Sequence, residues 1–302
     1  MEAVVIENVS KQFGNNQAVA NVSFKVQAGE IFGLLGPNGA GKTTTIRMML
    51  DILRPDSGTI TVFDGPMNEA KKNRIGYLPE ERGLYADVKL WDVILYLASL
   101  KGMSHQAAAN TAEDYLQRLD LWEHKDKKLN ALSRGMHQKA QFIVTVMHDP
   151  DLIIVDEPFS GLDPVNTELI RDIILDLRQK GKAIIMSTHQ MHQVEAMCDR
   201  IVLIHDGRAI LEGPVNQVRR QFAGNTIEVN GDGDFAGLPQ VQHAEQKNGV
   251  WRLTLSSETT PQAFLRTLAI QEDLQLEHYS VALPSLHEIF IHAVEQQRGK
   301  DV

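Results

Sequence analysis

The 302-residue sequence predicts an α/β fold with a mainly parallel core sheet, joined to a smaller α/β domain. Two observations carry this prediction. Short apolar stretches typical of strands alternate with stretches of helical periodicity, which is the pattern of a parallel sheet with crossover helices. Residues 90–131 interrupt the alternation, because Leu, Ala, Gln and charged residues recur there at helical spacing without a strand pattern. We therefore expect a helical subdomain at about residues 80–145.

The individual elements follow in chain order. Partial alternation in AVVIENVS and VSFKV predicts two strands, and GEIFGLLG predicts a buried strand. A helix is expected from Thr43 to about Leu53, followed by a strand within SGTITVFDG. Beyond the helical subdomain the sequence predicts a strand, a helix, a second strand, a short helix and a strand hairpin, in the segments DLIIVDE, TELIRDIILDLRQKG, AIIMSTH, QVEAMCD and RIVLIHDG.

A break in the pattern predicts the domain boundary. In EGPVNQVRRQFAGN a helical pattern ends in a Gly-Asn pair, so we place the domains at residues 1–224 and 225–302. In the second domain VWRLTLSS alternates as a strand does, and PSLHEIFIHAV presents one apolar helical face. Ser285 and Glu288 have the spacing of a capping box at the start of that helix.

Composition argues against several classes of protein. The net charge of −9 disfavours a nucleic-acid binder that depends on bulk positive charge, so no nucleic-acid partner is expected. The single cysteine, Cys198, cannot form a disulfide or a cysteine-based metal site within one chain. LWDVILYLASL is too short and interrupted to cross a bilayer, and MEAVVIENVS lacks a signal-peptide pattern. Any membrane role is therefore expected to act through a partner.

The segment GPNGAGKT, residues 36–43, matches the phosphate-binding pattern G-x-x-x-x-G-K-[ST]. It lies between a strand pattern and a helical pattern, where glycines let N–H groups point at phosphate oxygens and a helix N-terminus adds positive charge. Lys42 is predicted to reach the β- and γ-phosphates, and Thr43 to ligate Mg²⁺. The predicted nucleotide contacts here are Gly36, Pro37, Asn38, Gly39, Ala40, Gly41, Lys42, Thr43 and Thr44.

Two acids end the apolar strand LIIVDEP, residues 152–158, and packing alone does not explain two charges there. Asp156 is predicted to hold Mg²⁺ through a bound water, and Glu157 to polarise or deprotonate an attacking water. His189 ends a further core strand, at the edge where α/β proteins bind ligands. When each segment is considered alone, the alternative for the two acids is an ordinary solvated strand end. The alternative for His189 is a structural role.

Together, these motifs resemble those of the ATP-binding subunit of an ABC transporter, over residues 1 to about 220. GPNGAGKT resembles the Walker A loop, and LIIVDE resembles the Walker B strand. SGLD, which ends at Asp163, resembles the D-loop, and His189 resembles the switch histidine. Phe13 lies where the family places an aromatic residue that stacks on adenine. IGYLPEERGLY (75–85) aligns with the Q-loop, and LSRGM (132–136) with the LSGGQ signature. The resemblance implies a P-loop NTPase core with an antiparallel β subdomain and a helical subdomain.

Two motifs depart from the family pattern. The Q-loop carries Glu80 for Gln; its carboxylate can still ligate Mg²⁺ or orient water, but it adds negative charge near the phosphates. The signature carries Arg134 for Gly and Met136 for Gln, while Ser133 and Gly135 are kept. By the resemblance, Ser133 and Gly135 contact a γ-phosphate bound by another subunit. Arg134 is either a solvated loop charge or a helper that neutralises phosphate across that interface.

The resemblance implies an ATPase that uses ATP and Mg²⁺ and forms a head-to-tail dimer around two ATP, with a second copy of itself or a paralogous subunit. YLPEERGLY, LSRGM and the tail ending in PSLHEIF resemble the ABC-2-type exporters, including bacterial sodium and drug export ATPases. Their permease is a separate integral membrane protein, which implies a peripheral location at the cytoplasmic face of the inner or plasma membrane. The tail is then a dimer contact, a regulator or a passive cap.

Two other functions stay open from the sequence alone. One is a soluble ABC ATPase with a non-transport role, and the other is a non-hydrolysing ATP-binding regulator. A single Walker A motif without a heptad run argues against the types that act on ribosomes or DNA. Intact Lys42, Asp156, Glu157 and His189 argue against a regulator. We therefore expect an exporter subunit.

Overall fold

The computed structural model describes residues 1–81, 83–271 and 273–298. The chain forms two compact units, Met1–Gly213 and Pro214–Val302. The first unit contains two sheets and the second contains one, and each unit has its own buried apolar cluster. This arrangement agrees with the predicted α/β core followed by a small α/β domain.

The division between the units lies before the position predicted from the sequence. The sequence places residues 214–224 with the first domain, whereas the structure groups them with the second unit. A contact within the second unit accounts for this grouping, because Arg219 Nε donates to Pro284 O at 2.9 Å. The Gly-Asn break at Gly224 therefore marks a turn inside the second unit.

A six-stranded sheet forms the centre of the first unit, in the order β5-β6-β7-β3-β8-β9. The pairs from β5 to β8 are parallel, as predicted. Every residue of β3, β6 and β7 is buried, which explains their continuous apolar runs. The strands are β3 Ile31–Leu35, β5 Ile75–Leu78, β6 Leu152–Asp156, β7 Ala183–Thr188, β8 Arg200–His205 and β9 Arg208–Pro214.

An antiparallel sheet in the order β2-β1-β4 packs on this core. Its strands are β1 Glu2–Phe13, β2 Asn16–Gln27 and β4 Ser57–Val62. Both sheets contribute to one apolar cluster, which includes Ile6, Val22, Phe32 and Ile154. The hairpin between β1 and β2 sets Phe13 opposite Asn16, and so fixes Phe13 at the end of the sheet.

Seven helices of the described first unit connect these strands: α1 Lys42–Met49, α2 Glu69–Lys72, α3 Leu90–Leu100, α4 His105–Arg118, α5 Arg134–Val146, α6 Pro164–Gln179 and α7 Met191–Met197. Helices α3, α4 and α5 pack together as the expected helical subdomain. Helix α1 ends before the predicted Leu53, because Asp51 adopts φ 57° and Ile52 N–H turns back to Arg47 O at 2.9 Å. Within the described residues, no helix is long and apolar enough to cross a bilayer.

The second unit is a four-stranded antiparallel sheet, in the order β11-β12-β10-β13, with helices beside it. Its core includes Leu253, Leu255 and Phe264. The capping box is confirmed, since Ser285 N donates to Glu288 Oε2 at 2.7 Å and Glu288 N to Ser285 Oγ at 3.2 Å. The elements are α8 Val215–Gln221, β10 Thr226–Asp232, β11 Val241–Lys247, β12 Val250–Leu255, α9 Pro261–Ala269, β13 Gln275–Val281 and α10 Leu286–Arg298.

His148, just beyond α5, gives the first unit a predictable response to acid. Burial lowers the pKa of His148 to about 4, and Lys101 acts in the same direction. The unfolded chain takes up this proton near its ordinary value of 6.5, so stability falls as the pH drops through that range. We expect a loss of roughly 2 kcal/mol between about pH 7.5 and about pH 5 from this residue.

Urea unfolding of the intact chain at the two pH values measures this loss. His148→Gln should remove the corresponding part of the pH dependence, because it has no proton to take up. The same substitution at exposed His192 is the matched control. An unchanged pH dependence in His148→Gln would contradict this assignment.

Candidate functional site

The loop of residues 36–41 joins β3 to α1 and follows a path that only glycine allows. Gly36 has φ 150° and Gly41 has φ 107°. A Cβ at Gly36 would lie 2.2 Å from Ile204 O, and one at Gly41 would lie 2.3 Å from Ala18 O. The loop leads directly into the N-terminus of α1, where the first N–H groups have no partner within the helix. This arrangement suits an anionic ligand.

Lys42, the first residue of α1, lies folded over this loop. Its Nζ donates to Gly36 O at 2.7 Å and to Pro37 O at 3.1 Å, and the residue is 6% exposed. Burial lowers the pKa of Lys42, while the negative charges of Glu157, Asp156 and Glu80 act in the opposite direction. The ammonium is therefore held at the loop by neutral carbonyls, which an anionic ligand can replace.

Asp156 ends β6 next to the start of α1. Its Oδ2 accepts a hydrogen bond from Thr43 Oγ1 at 3.0 Å, and the residue is 1% exposed. Burial raises the pKa of Asp156, while the hydrogen bond from Thr43 and the charge of Lys42 act in the opposite direction. The two residues predicted to ligate a cation thus have oxygens within hydrogen-bonding distance of each other.

Glu157 follows Asp156 and has a positive φ of 52°, which is unusual for a residue with a side chain. The residue is 6% exposed, and its carboxylate is held by three donors. Thr188 Oγ1 donates to Oε2 at 3.0 Å, and His189 N donates to Oε1 at 2.9 Å. His189 Nδ1 lies 2.6 Å from the same Oε1. Because a carboxylate only accepts, Nδ1 carries the hydrogen, which leaves Nε2 on the outer side of the ring.

A cavity of about 510 Å³ opens at the carboxyl ends of these strands. Phe13, 46% exposed, lies on its wall. Most of the sequence-predicted nucleotide and metal residues meet there. The lining is Phe13, Asn16, Ala18, Asn38, Gly39, Gly41, Lys42, Thr43, Thr44, Glu80, Asp156 and Glu157.

The charges of this lining fit a nucleotide that arrives with a divalent cation. Lys42 is the single lysine or arginine among the described lining residues, against the carboxylates of Glu80, Asp156 and Glu157. No cluster of three or more His, Cys, Asp or Glu side chains in the described residues could hold a metal by itself. Thr43 and Asp156 supply hard oxygen donors, and Mg²⁺ takes its other ligands from phosphates and water. The donor set therefore fits Mg²⁺ bound together with a polyphosphate.

The signature segment 132–136 lies outside this cavity among the described residues. Ser133 is the N-cap of α5, and its Oγ accepts from Met136 N at 3.2 Å. Arg134 is exposed at the first position of that helix and has no salt-bridge partner in the part of the chain described. A cation at a helix N-terminus is unfavourable, so the fold itself gives no reason for an arginine there.

Asp163 likewise serves as a helix cap. It precedes α6 and accepts from Asn166 N at 2.9 Å. The hydrogen bonds from Asn166 lower the pKa of the Asp163 carboxyl. The D-loop and the signature thus both lie at helix N-termini, with side chains that stabilise their own turns.

Comparison with known proteins identifies the family. Residues 19–160 match the model of the ABC transporter family, and residues 213–294 match that of the ATP-binding protein DrrA1-3-like C-terminal domain. The uncharacterised ABC transporter ATP-binding protein YhaQ of Bacillus subtilis is 38% identical over 96% of this chain and 98% of its own. The chain belongs to the ABC transporter ATP-binding proteins. It is accordingly an ATP-binding ABC ATPase.

Two further similarities agree with this membership of the ABC family. The Nod factor export ATP-binding protein I of Burkholderia lata is 38% identical over 74% of this chain and 75% of its own. A solved structure, the ATP binding subunit of an ABC transporter, is 29% identical, with a TM-score of 0.68 over 73% of this chain and 93% of that one. The predicted resemblance to ABC-2-type exporter ATPases is thereby confirmed.

The structure of this ABC ATPase also adds residues that the sequence left out. Asn16 and Ala18 line the cavity beside Phe13, because the β1–β2 hairpin carries both strands to its edge. Thr188 contacts Glu157 directly, although the sequence interpretation took only its neighbour His189. The signal was present, since a hydroxyl residue ends the same buried strand. By contrast, the described lining of the cavity does not include four residues predicted for the site, which are Gly36, Pro37, Ala40 and His189.

Proposed function

We propose that this chain is the ATP-hydrolysing subunit of an exporter and that two copies, or one copy and a paralogous subunit, enclose two ATP. One observation carries the proposal: the cavity is lined by the Walker A and Walker B residues but by none of the described residues 132–136. The signature instead begins a helix capped by Ser133, with Ser133 and Arg134 exposed and the other three residues partly buried, and we infer that another subunit contacts it. A second subunit would complete each site with Ser133, Arg134, Gly135 and Met136.

The site residues predicted from the sequence then have the following roles. Lys42 leaves the carbonyls of its own loop and binds the β- and γ-phosphates, while Phe13 stacks on adenine. Thr43, Asp156 and Glu80 are the residues that would hold Mg²⁺. The cation neutralises phosphate charge when bound. Glu157 accepts a hydrogen bond from the attacking water, and His189 turns its Nε2 toward the γ-phosphate. Asp163 lies at the subunit interface.

Transport would require an integral membrane permease. The relative from Burkholderia lata is named as an export protein, which supports export as the direction. The chain would bind its permease through the helical subdomain, at the cytoplasmic face of the inner or plasma membrane. Exposed aromatic residues lie there, with Tyr85 and Tyr96 in edge contact at 6.0 Å between ring centroids. The second unit would act as an accessory domain at the dimer contact or as a regulator.

Co-purification from detergent-solubilised membranes tests this proposal. A tagged chain should bring down one polytopic membrane protein in stoichiometric amount. Tyr96→Asp should lose that protein while keeping its ATPase rate, because the side chain is 50% exposed and is not part of the buried core. Lys25→Ala, a change on the exposed face of β2, is the control and should retain it. Recovery of the ATPase without any membrane protein would favour a soluble role instead.

A further inference from the structure

The ends of β6 and β7 place two acids beside two hydroxyl residues. The strands pair in parallel with Asp156 opposite Ser187. One residue further, Glu157 N donates to Ser187 O at 2.8 Å, and the Glu157 side chain meets Thr188. The register of the sheet therefore sets the second hydroxyl against the second carboxylate.

The hydroxyl of Thr188 has its hydrogen directed at Glu157. Gln190 N donates to Thr188 Oγ1 at 3.1 Å, which occupies an acceptor position of that oxygen. Thr188 Oγ1 in turn lies 3.0 Å from Glu157 Oε2, and a carboxylate oxygen can only accept. The backbone of residue 190 thus orients the hydroxyl, and the hydroxyl orients the carboxylate.

The two residues that hold Glu157 differ in their freedom to move. Thr188 is 2% exposed and lies within the central sheet. The His189 side chain is 52% exposed, so its ring can turn toward a nucleotide without displacing core residues. When the ring turns, Oε1 loses the Nδ1 contact and keeps the hydrogen bond from His189 N. Oε2 has the hydrogen bond from Thr188 Oγ1, which then remains as the side-chain restraint on the carboxylate.

We propose that Thr188 is the positioning residue of Glu157, which keeps the carboxylate in its productive orientation while His189 moves. The proposal rests on the proposed role of Glu157 toward water. Thr188 itself contacts neither ATP nor water in this scheme; it acts through Glu157. Of the side-chain donors to the Glu157 carboxylate, Thr188 is the buried one.

Thr188→Val tests the proposal, since valine keeps the shape and removes the hydroxyl. We expect kcat to fall by about ten- to a hundredfold with the KM for ATP unchanged. Thr188→Ser should restore most of the rate, because it returns the donor. Thr145→Val is the matched control: Thr145 is 4% exposed, and its hydroxyl donates to Gln141 O at 2.9 Å within its own helix. That variant should keep the wild-type rate.

A double-mutant cycle separates this inference from the proposed function. If Thr188 acts through Glu157, Thr188→Val should cause no further loss in a Glu157→Gln background. A loss in kcat for Glu157→Gln but a wild-type rate for Thr188→Val would overturn the positioning role alone. A wild-type rate for Glu157→Gln would instead overturn the proposed role of Glu157 toward water, on which this inference rests. Equal losses in Thr188→Val and Thr188→Ser would also overturn the inference, because they would show that the hydroxyl is not what matters.

Discussion

Glu157→Gln is expected to lower kcat for ATP hydrolysis by about a thousandfold and to leave ATP binding intact. The amide has the size of the carboxylate but cannot accept a proton from water. Glu157 lies on the cavity wall, whereas the loop that would hold the phosphates is built from residues 36–43. The change therefore removes the proposed acceptor without touching the residues proposed to bind ATP.

The same variant should accumulate as a dimer when ATP is present. If ATP links two subunits and hydrolysis removes the link, a subunit that binds but does not hydrolyse stays in the closed state. Light scattering during size-exclusion chromatography, with and without ATP, measures this shift. Glu258→Gln, an exposed acid of the second unit, is the control and should behave as wild type. A Glu157→Gln variant that remained monomeric with ATP would contradict the dimer proposal.

The residues of the site that were predictable from sequence are those fixed by local chemistry. Within residues 36–43, glycine is required at Gly36 and Gly41, where φ is positive and a Cβ would clash with a carbonyl oxygen. These required glycines make the motif recognisable in the sequence. Asp156 stood out because two acids end a wholly apolar strand, and burial of that strand is what makes the charges informative. The capping box was predictable from the sequence because its two partners, Ser285 and Glu288, lie within one helical turn of each other.

Other features depend on which strands become neighbours, and periodicity does not encode that. Thr188 contacts Glu157 across two strands whose segments are 31 residues apart in sequence. The contact follows from the parallel register of β6 with β7, which only the assembled sheet defines. The division of the units at Gly213 likewise depends on contacts between distant segments, because Arg219 donates hydrogen bonds to Pro284 O and Leu283 O more than 60 residues along the chain.

The charge of the cavity bears on two departures from the family motifs, Glu80 in the Q-loop and Arg134 in the signature. Glu80 adds a third carboxylate to a lining with one ammonium. The bound polyphosphate would therefore depend strongly on cations brought from outside the lining, which are Mg²⁺ and, in the proposed dimer, Arg134 of the second subunit. Arg134 is exposed at a helix N-terminus and has no salt-bridge partner among the described residues, which fits both a solvated loop charge and the proposed contact to phosphate across the interface.

Lys42→Ala is expected to weaken ATP binding by about a hundredfold, because a hydrogen bond to a charged group contributes about 1.5–3 kcal/mol. The loss also leaves Glu80, Asp156 and Glu157 without a balancing lysine or arginine in the described lining. Calorimetric titration with ATP and Mg²⁺ measures the change. Lys25→Ala removes a lysine paired with Glu2 on the exposed face of β2, and it should bind ATP as wild type does.

Thermal unfolding of Lys42→Ala separates lost binding from lost folding. Burial lowers the pKa of Lys42, because removing the charged amine from water is unfavourable, so burying this charge opposes folding. Its removal should therefore leave the Tm of the nucleotide-free chain unchanged or slightly raised, since the two carbonyl contacts offset part of the gain. Wild type should gain about 2.7 kcal/mol at a hundredfold excess of ATP over Kd, and the variant should lose nearly all of that gain. A variant that kept the ATP-dependent rise in Tm would show that the phosphates are held by something other than Lys42.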